Sequence, residues 1–268
     1  MRTGQQPATA FETMHEGVPS WLSKSLRSWI AGLVGRTTAF GNSVADNAVI
    51  HELERRLRRN FNLNSDGETR LGQFMYLVDN DVFALDVADA LVRMQPEEST
   101  RLESMLSQAG SVWRATQRGL ERRVSEAAQT QFESTQQGRA GEHLRMAWSS
   151  AYGKHPNASD AYREAVRAVE VYTSAALLPN DAKATLGKAL GLLRGNPSRL
   201  KFVLQGTDGA ATVIAMLDML WKSQHDRHGT PDENAPLRVS IEEAQAALHM
   251  AITVVQWFQS NALAVAST

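Results

Sequence analysis

Ser240-Ile241-Glu242-Glu243-Ala244-Gln245-Ala246-Ala247-Leu248 opens the segment that decides the fold, and the same pattern runs on through Ala251, Val255 and Phe258. Ser240 followed three residues later by Glu243 is a capping box, in which the hydroxyl takes one unpaired amide of the first helical turn and the carboxylate takes another. Ala244, Ala247, Leu248, Ala251, Val255 and Phe258 recur at three- and four-residue steps, which makes one apolar stripe on a helix. Working back along the chain, 211–223 carries the apolar run 213–220, and Leu186, Leu190 and Leu193 form a stripe after Pro179-Asn180-Asp181 and before Gly195-Asn196-Pro197. Tyr162, Val166, Val169, Thr173 and Ala176 form another behind Asn157 or Ser159 as the cap, and 142–152 is a shorter helix. Trp148 and Trp257 fall at core positions.

The front half reads the same way. Trp21, Leu22, Leu26, Trp29, Ile30 and Leu33 follow Pro19-Ser20, and Gly35 closes that helix. Residues 43–60 form a second helix, 71–94 carry helical spacing broken at Asp79-Asn80-Asp81, and Pro96 opens a further helix to residue 106. In 111–116 the pattern changes: Val112, Arg114 and Thr116 alternate with Trp113 and Ala115 between Gly110 and Gly119, a short strand or hairpin. The polar stretch 120–138 holds the domain boundary. The expectation is a mainly all-α protein. A helical domain spans 1–125 with one short hairpin, 126–140 is a linker or long helix, 141–262 is a four- or five-helix bundle, and 263–268 is a tail.

The 268 residues suffice for two modest domains, and 43% hydrophobic residues suffice for ordinary cores. A formal net charge of -1 means that any nucleic-acid contact must come from a local patch. The absence of cysteine excludes disulfides, thiolate zinc sites and cysteine nucleophiles, and fits a reducing cytoplasm. Residues 1–10 lack the apolar core of a signal peptide, and no uncharged stretch reaches the roughly 18 residues of a membrane span. A cytoplasmic protein without a membrane partner is expected. P-loop, dinucleotide-binding, zincin and lipase-type motifs are absent from the sequence.

Chemistry concentrates in Trp221-Lys222-Ser223-Gln224-His225-Asp226-Arg227-His228-Gly229. Arg grips a phosphate through a planar fork and His moves protons near neutral pH, the minimum set for cleaving RNA without a metal. The competing reading is a helix C-cap, where cations gather on unpaired carbonyls and Gly229 ends the helix. His225 and His228 lie three apart with Asp226 between them, but a His pair without a further ligand makes a weak metal site, so neither metal nor cofactor is expected. Glu170 lies beside Arg163, Arg167 and Ser174. It either pairs with Arg167 along the helix, or is simply solvated, or turns toward Arg227 and His228 to orient one of them. Arg55, Arg56, Arg58 and Arg59 could touch phosphates, but with Glu52 and Glu54 beside them they read as a solvated helix end. His51 and His249 stand alone on helices and give no signal.

An ordered series of segments carries a resemblance over residues 140–262. It comprises Ala147-Trp148-Ser149-Ser150-Ala151-Tyr152-Gly153, then Asp160-Ala161-Tyr162-Arg163-Glu164-Ala165-Val166-Arg167-Ala168-Val169-Glu170, then Ala184-Thr185-Leu186-Gly187. Gln224-His225-Asp226-Arg227-His228-Gly229 follows, and the last is Val255-Gln256-Trp257-Phe258. In these the chain resembles HEPN-type domains of bacterial abortive-infection proteins, and residues 11–125 look like the helical front half of actinobacterial proteins of this type. The resemblance implies a helical bundle that pairs into a homodimer. It also implies a metal-independent ribonuclease in which Arg, followed four to six residues later by His at a helix end, leaves 2′,3′-cyclic phosphate and 5′-hydroxyl ends. Here no Arg stands four to six residues before His228. Lys222 stands six before it and Arg227 is adjacent.

The expected catalytic set is therefore His228, Arg227, Lys222 and Glu170, with Gln224, His225 and Asp226 contacting the nucleotide. The protein would be an anti-phage or toxin-like ribonuclease acting on RNA, with 1–125 as a regulatory or sensing domain, held by an antitoxin or triggered by a phage-derived activator. A non-catalytic helical module that binds RNA or a protein is the alternative. A dimerisation protein with a decorated helix cap is a third reading.

Overall fold

The structure, a computed structural model, describes residues 14–64, 67–204, 208–223 and 238–266. The chain forms two compact units that divide between Arg123 and Val124. Among the described residues there are eleven α-helices and three two-stranded antiparallel pairs, a mainly α-helical fold. No described helix is long and apolar enough to cross a membrane.

Unit 1 begins with α1, Ser20–Val34, which buries Leu22, Leu26, Trp29, Ile30 and Val34 on one stripe. Gly35 leaves the helix extended, so the chain continues as β1, Gly35–Thr37, and pairs with β2, Ser43–Ala45. The turn between them holds Gly41 at φ +83, a conformation that glycine adopts without strain. Residues 43–60 are thus not one helix: α2 is Asn47–Leu57, and Asp46 accepts the amides of Ala48 and Val49 at its start. α3, Gly67–Leu77, and α4, Asp81–Met94, separate where Asn80 caps Phe83. A 3-10 turn at Pro96–Glu98 leads into α5, Ser99–Gln108.

The hairpin of unit 1 is β3, Trp113–Thr116, with β4, Gly119–Arg122. Buried Asp89 of α4 pins it, accepting the Leu120 amide at 2.6 Å and Arg93 Nε at 2.9 Å.

Unit 2 starts inside the expected linker, with α6, Glu126–Ser134, and α7, Gly138–Tyr152, which packs along α8, Ala158–Leu177. α9, Leu186–Gly195, begins later than Pro179 suggests, because its first amides are capped by Thr185 and by a side chain of α8 described below. α10, Gly209–Lys222, and α11, Ile241–Gln259, complete the bundle. The capping box of α11 is present: Glu243 N donates to Ser240 Oγ at 3.1 Å and Ser240 N to Glu243 Oε2 at 2.7 Å. Leu144, Trp148, Val169, Leu190, Leu217, Leu248 and Ile252 sit in one core.

Two expectations for unit 2 are corrected. Residues 263–265 are not a tail: β5, Leu200–Phe202, pairs with β6, Leu263–Val265. Trp257 is only half-buried, since it lies in the last turn of α11 and meets Phe202 at 4.7 Å between ring centroids. Of the two tryptophans expected at core positions, Trp148 alone is a full core residue, at 1% exposure.

Candidate functional site

Of the expected site residues, the catalytic Arg227 and His228 and the nucleotide-contacting Gln224, His225 and Asp226 lie outside the described residues, as does the expected cap at Gly229. Lys222 and Glu170 are described, and each is held locally. Lys222 Nζ is 2.6 Å from Asp218 Oδ2 one turn back on α10, and Arg194 of α9 pairs with the same carboxylate. Lys222, with Arg194 beyond it, holds the Asp218 carboxyl below its ordinary range. Glu170 Oε1 accepts the amide of Leu186 at 2.8 Å, so this carboxylate caps the start of α9, where the helix dipole favours negative charge. Arg167 pairs with Glu164, so the alternative pair of Arg167 with Glu170 does not form. The end of α10 is anchored by buried Tyr162, whose hydroxyl donates to the Leu220 carbonyl at 2.9 Å.

The arrangement with chemical potential is elsewhere in unit 2. His143 Nδ1 of α7 lies 2.7 Å from Glu164 Oε2 of α8. An ionised carboxylate only accepts, so Nδ1–H donates and Nε2 is left as the ring's proton-transfer atom. Glu164 sits among Ala161, Ala165, Val166 and Ala168, and its side chain is 7% exposed. A carboxylate that deep stays charged only with partners. It has three: His143, Arg167 NH1 at 2.8 Å from Oε1, and Arg163 Nε at 3.5 Å from Oε1. Both arginines are about half exposed, at 46% and 50%; Arg163 NH2 is also paired with Asp160 Oδ1 at 2.6 Å, so Arg167 keeps more of its donors for a ligand. Arg139 stands one turn before His143 on α7, exposed and without a carboxylate partner among the described residues. Three guanidinium groups and one oriented imidazole can bind a phosphodiester and move a proton.

The signals for this site were in the sequence. Glu164 interrupts an apolar stripe of small residues, and Arg139 precedes His143 by four residues, the spacing absent before His228. Among the described residues no three His, Asp or Glu side chains gather as a metal site.

A second histidine is also partnered. His249 Nε2 of α11 lies 2.7 Å from the Tyr152 hydroxyl, and its ring meets Trp148 edge-on. Burial pushes His249 below its ordinary value of 6.5 and Tyr152 above its ordinary value of 10.0. In the folded chain His249 is therefore neutral where an unfolded one would already take a proton. The folded pKa is the lower of the two, so stability is full above about 6.5 and falls as pH drops below it. Thermal melts at pH 8 and pH 5.5 should show unit 2 losing stability in acid, and His249→Gln should shrink that difference. An unchanged difference in His249→Gln would assign the acid sensitivity to other groups.

Comparison of the chain with family models, curated proteins and solved structures gives no significant match.

Proposed function

We propose that unit 2 is a metal-independent ribonuclease domain of the HEPN type, with His143 as its proton-transfer group. The observation that supports this reading is the His143–Glu164 pair with Arg139, Arg163 and Arg167 around it. In the proposed step, His143 Nε2 takes the proton of an RNA 2′-hydroxyl. The freed oxygen bonds to the adjacent phosphorus, and the bond from phosphorus to the 5′ oxygen breaks. That oxygen takes a proton from water and His143 gives its own back to solvent, leaving a 2′,3′-cyclic phosphate and a 5′-hydroxyl. The arginines stabilise the charge that builds on the phosphate oxygens. Glu164 holds the tautomer and steadies the imidazolium, a positioning role. A homodimer with an anti-phage or toxin-like role belongs to the same proposal.

The second reading, a non-catalytic helical module binding RNA or a protein, is favoured by Lys222 and Glu170, whose bonds hold helices.

Purified protein is incubated with total bacterial RNA in EDTA, and product ends are analysed. Wild type should leave cyclic-phosphate ends, and His143→Ala should cut about a hundredfold more slowly, the lower end for loss of a general acid–base group. Glu164→Gln should shift the pH–rate profile as well as the rate. Cleavage that survives His143→Ala but is lost in His228→Ala moves the site to the segment after α10. No cleavage by wild type favours the binding module.

A further inference from the structure

We propose that the C-terminal end of α2 in unit 1 is a phosphate-binding surface for single-stranded RNA, centred on Arg58 and Arg59. The inference rests on the ribonuclease reading for its ligand class, but its observations lie in unit 1. Arg58 closes α2 in the left-handed conformation, at φ 50 and ψ 41. Helices that end this way favour glycine there, because any Cβ is strained in that region. An arginine at such a position is held against a local preference, and an observed outlier of this kind points to a use for its side chain.

The acids nearby do not account for that use. Glu52 is engaged by Arg56 and Arg55, which hold its carboxyl below the ordinary value of 4.5. Glu54 Oε1 accepts the Phe61 amide at 2.8 Å. Among the described residues neither Arg58 nor Arg59 has an acidic partner, and both are exposed. The Arg59 guanidinium lies over the Phe83 ring at 4.7 Å, which orders it and leaves its edge donors free. One further cation lies farther back along the helix: Arg70 of α3 donates to His51 Nε2 at 3.3 Å, and His51 lies one turn before Arg55 on α2.

Positive charge thus accumulates locally in a chain whose net charge is -1. Forked guanidinium donors on two successive exposed residues suit neighbouring phosphates, each offering two oxygens. Because these contacts are to backbone, binding should be sequence-tolerant and strongly salt-dependent.

The test separates binding from folding and from cleavage. Fluorescence anisotropy follows a labelled single-stranded oligoribonucleotide binding to full-length protein carrying His143→Ala, over a range of KCl. Adding Arg58→Gly should weaken binding by at least about fivefold and lower the slope of log K against log salt by about 0.7, one phosphate contact to a single strand. The same change should leave the melting temperature equal or higher, because glycine relieves the left-handed backbone. Arg59→Ala should lower the slope by a similar amount. Binding with unchanged affinity and slope in Arg58→Gly overturns the proposal, and so does absence of RNA binding by the parent chain. RNA binding through Arg58 without cleavage by wild type would sink the ribonuclease reading and leave this one standing.

Discussion

Trp148→Ala is expected to cost unit 2 about 3–5 kcal/mol, a large part of the 5–15 kcal/mol typical of a whole domain. Trp148 is 1% exposed. Its ring stacks on Phe132 of α6 at 4.0 Å and 11°, leans on Tyr152 at 4.7 Å and meets His249 edge-on at 6.0 Å. One side chain therefore joins α6, α7 and α11, and truncation leaves a cavity that three helices must share. The indole Nε1 is buried without a hydrogen-bond partner among the described residues, so part of this ring is a polar liability. Trp148→Phe removes that N–H, keeps a stacking partner for Phe132, and should cost less than half as much. Hydrogen exchange resolved by segment, in rising urea, reads unit 2 apart from unit 1. A loss below about 1 kcal/mol for Trp148→Ala would show that these helices close over the gap.

Asp89→Ala should cost unit 1 about 3 kcal/mol, the low end for breaking a buried ion pair, since Arg93 keeps 36% of its side chain in water. Asp89 meets two demands at once: the Leu120 amide at 2.6 Å and the Arg93 guanidinium at 2.9 Å. Without it the Leu120 N–H is buried with no acceptor and the hairpin loses its tie to α4. Gly119, at φ +117, shows how close the contact is. A Cβ there would lie 2.4 Å from Asp89 Oδ1. Asp89→Asn keeps an acceptor for Leu120 but sets an amide against Arg93, so it should fall between wild type and alanine. Loss of exchange protection confined to β3 and β4 is the expected signature. Global unfolding of unit 1 at the same urea concentration would show that Asp89 supports the whole core.

Helix existence was legible because apolar stripes and caps are local. Pro19-Ser20, Asn80, Asn157 and the Ser240–Glu243 box each mark a start that the structure keeps. The alternation around Trp113 marked the hairpin for the same reason. Features set by tertiary contacts were not legible. β2 reads as part of α2 in sequence because three residues carry too little pattern to distinguish strand from helix, and the pairing with β1 decides it. The start of α9 depends on Glu170, sixteen positions earlier in the chain. The candidate site shows the same limit. His143 and Glu164 lie on different helices, and only their packing makes a pair. The dense cluster after Trp221 stands out by composition alone, whereas a carboxylate inside an alanine and valine stripe is a quieter and more physical sign.

The pairing of β5 with β6 sets an order on the birth of unit 2. Leu200 registers with Val265 and Lys201 with Ala264, and the Ala266 amide donates to the Arg199 carbonyl. During synthesis, α7 and α8 can dock as soon as both have emerged, since only residues 153–157 separate them. Leu200–Phe202 must then wait with an open edge until α10, α11 and β6 have followed. The bundle thus passes through a half-built stage in which the faces of α7 and α8 meant for α11 are uncovered. Such a stage is where chaperone engagement or mispairing with another nascent copy would compete with correct closure.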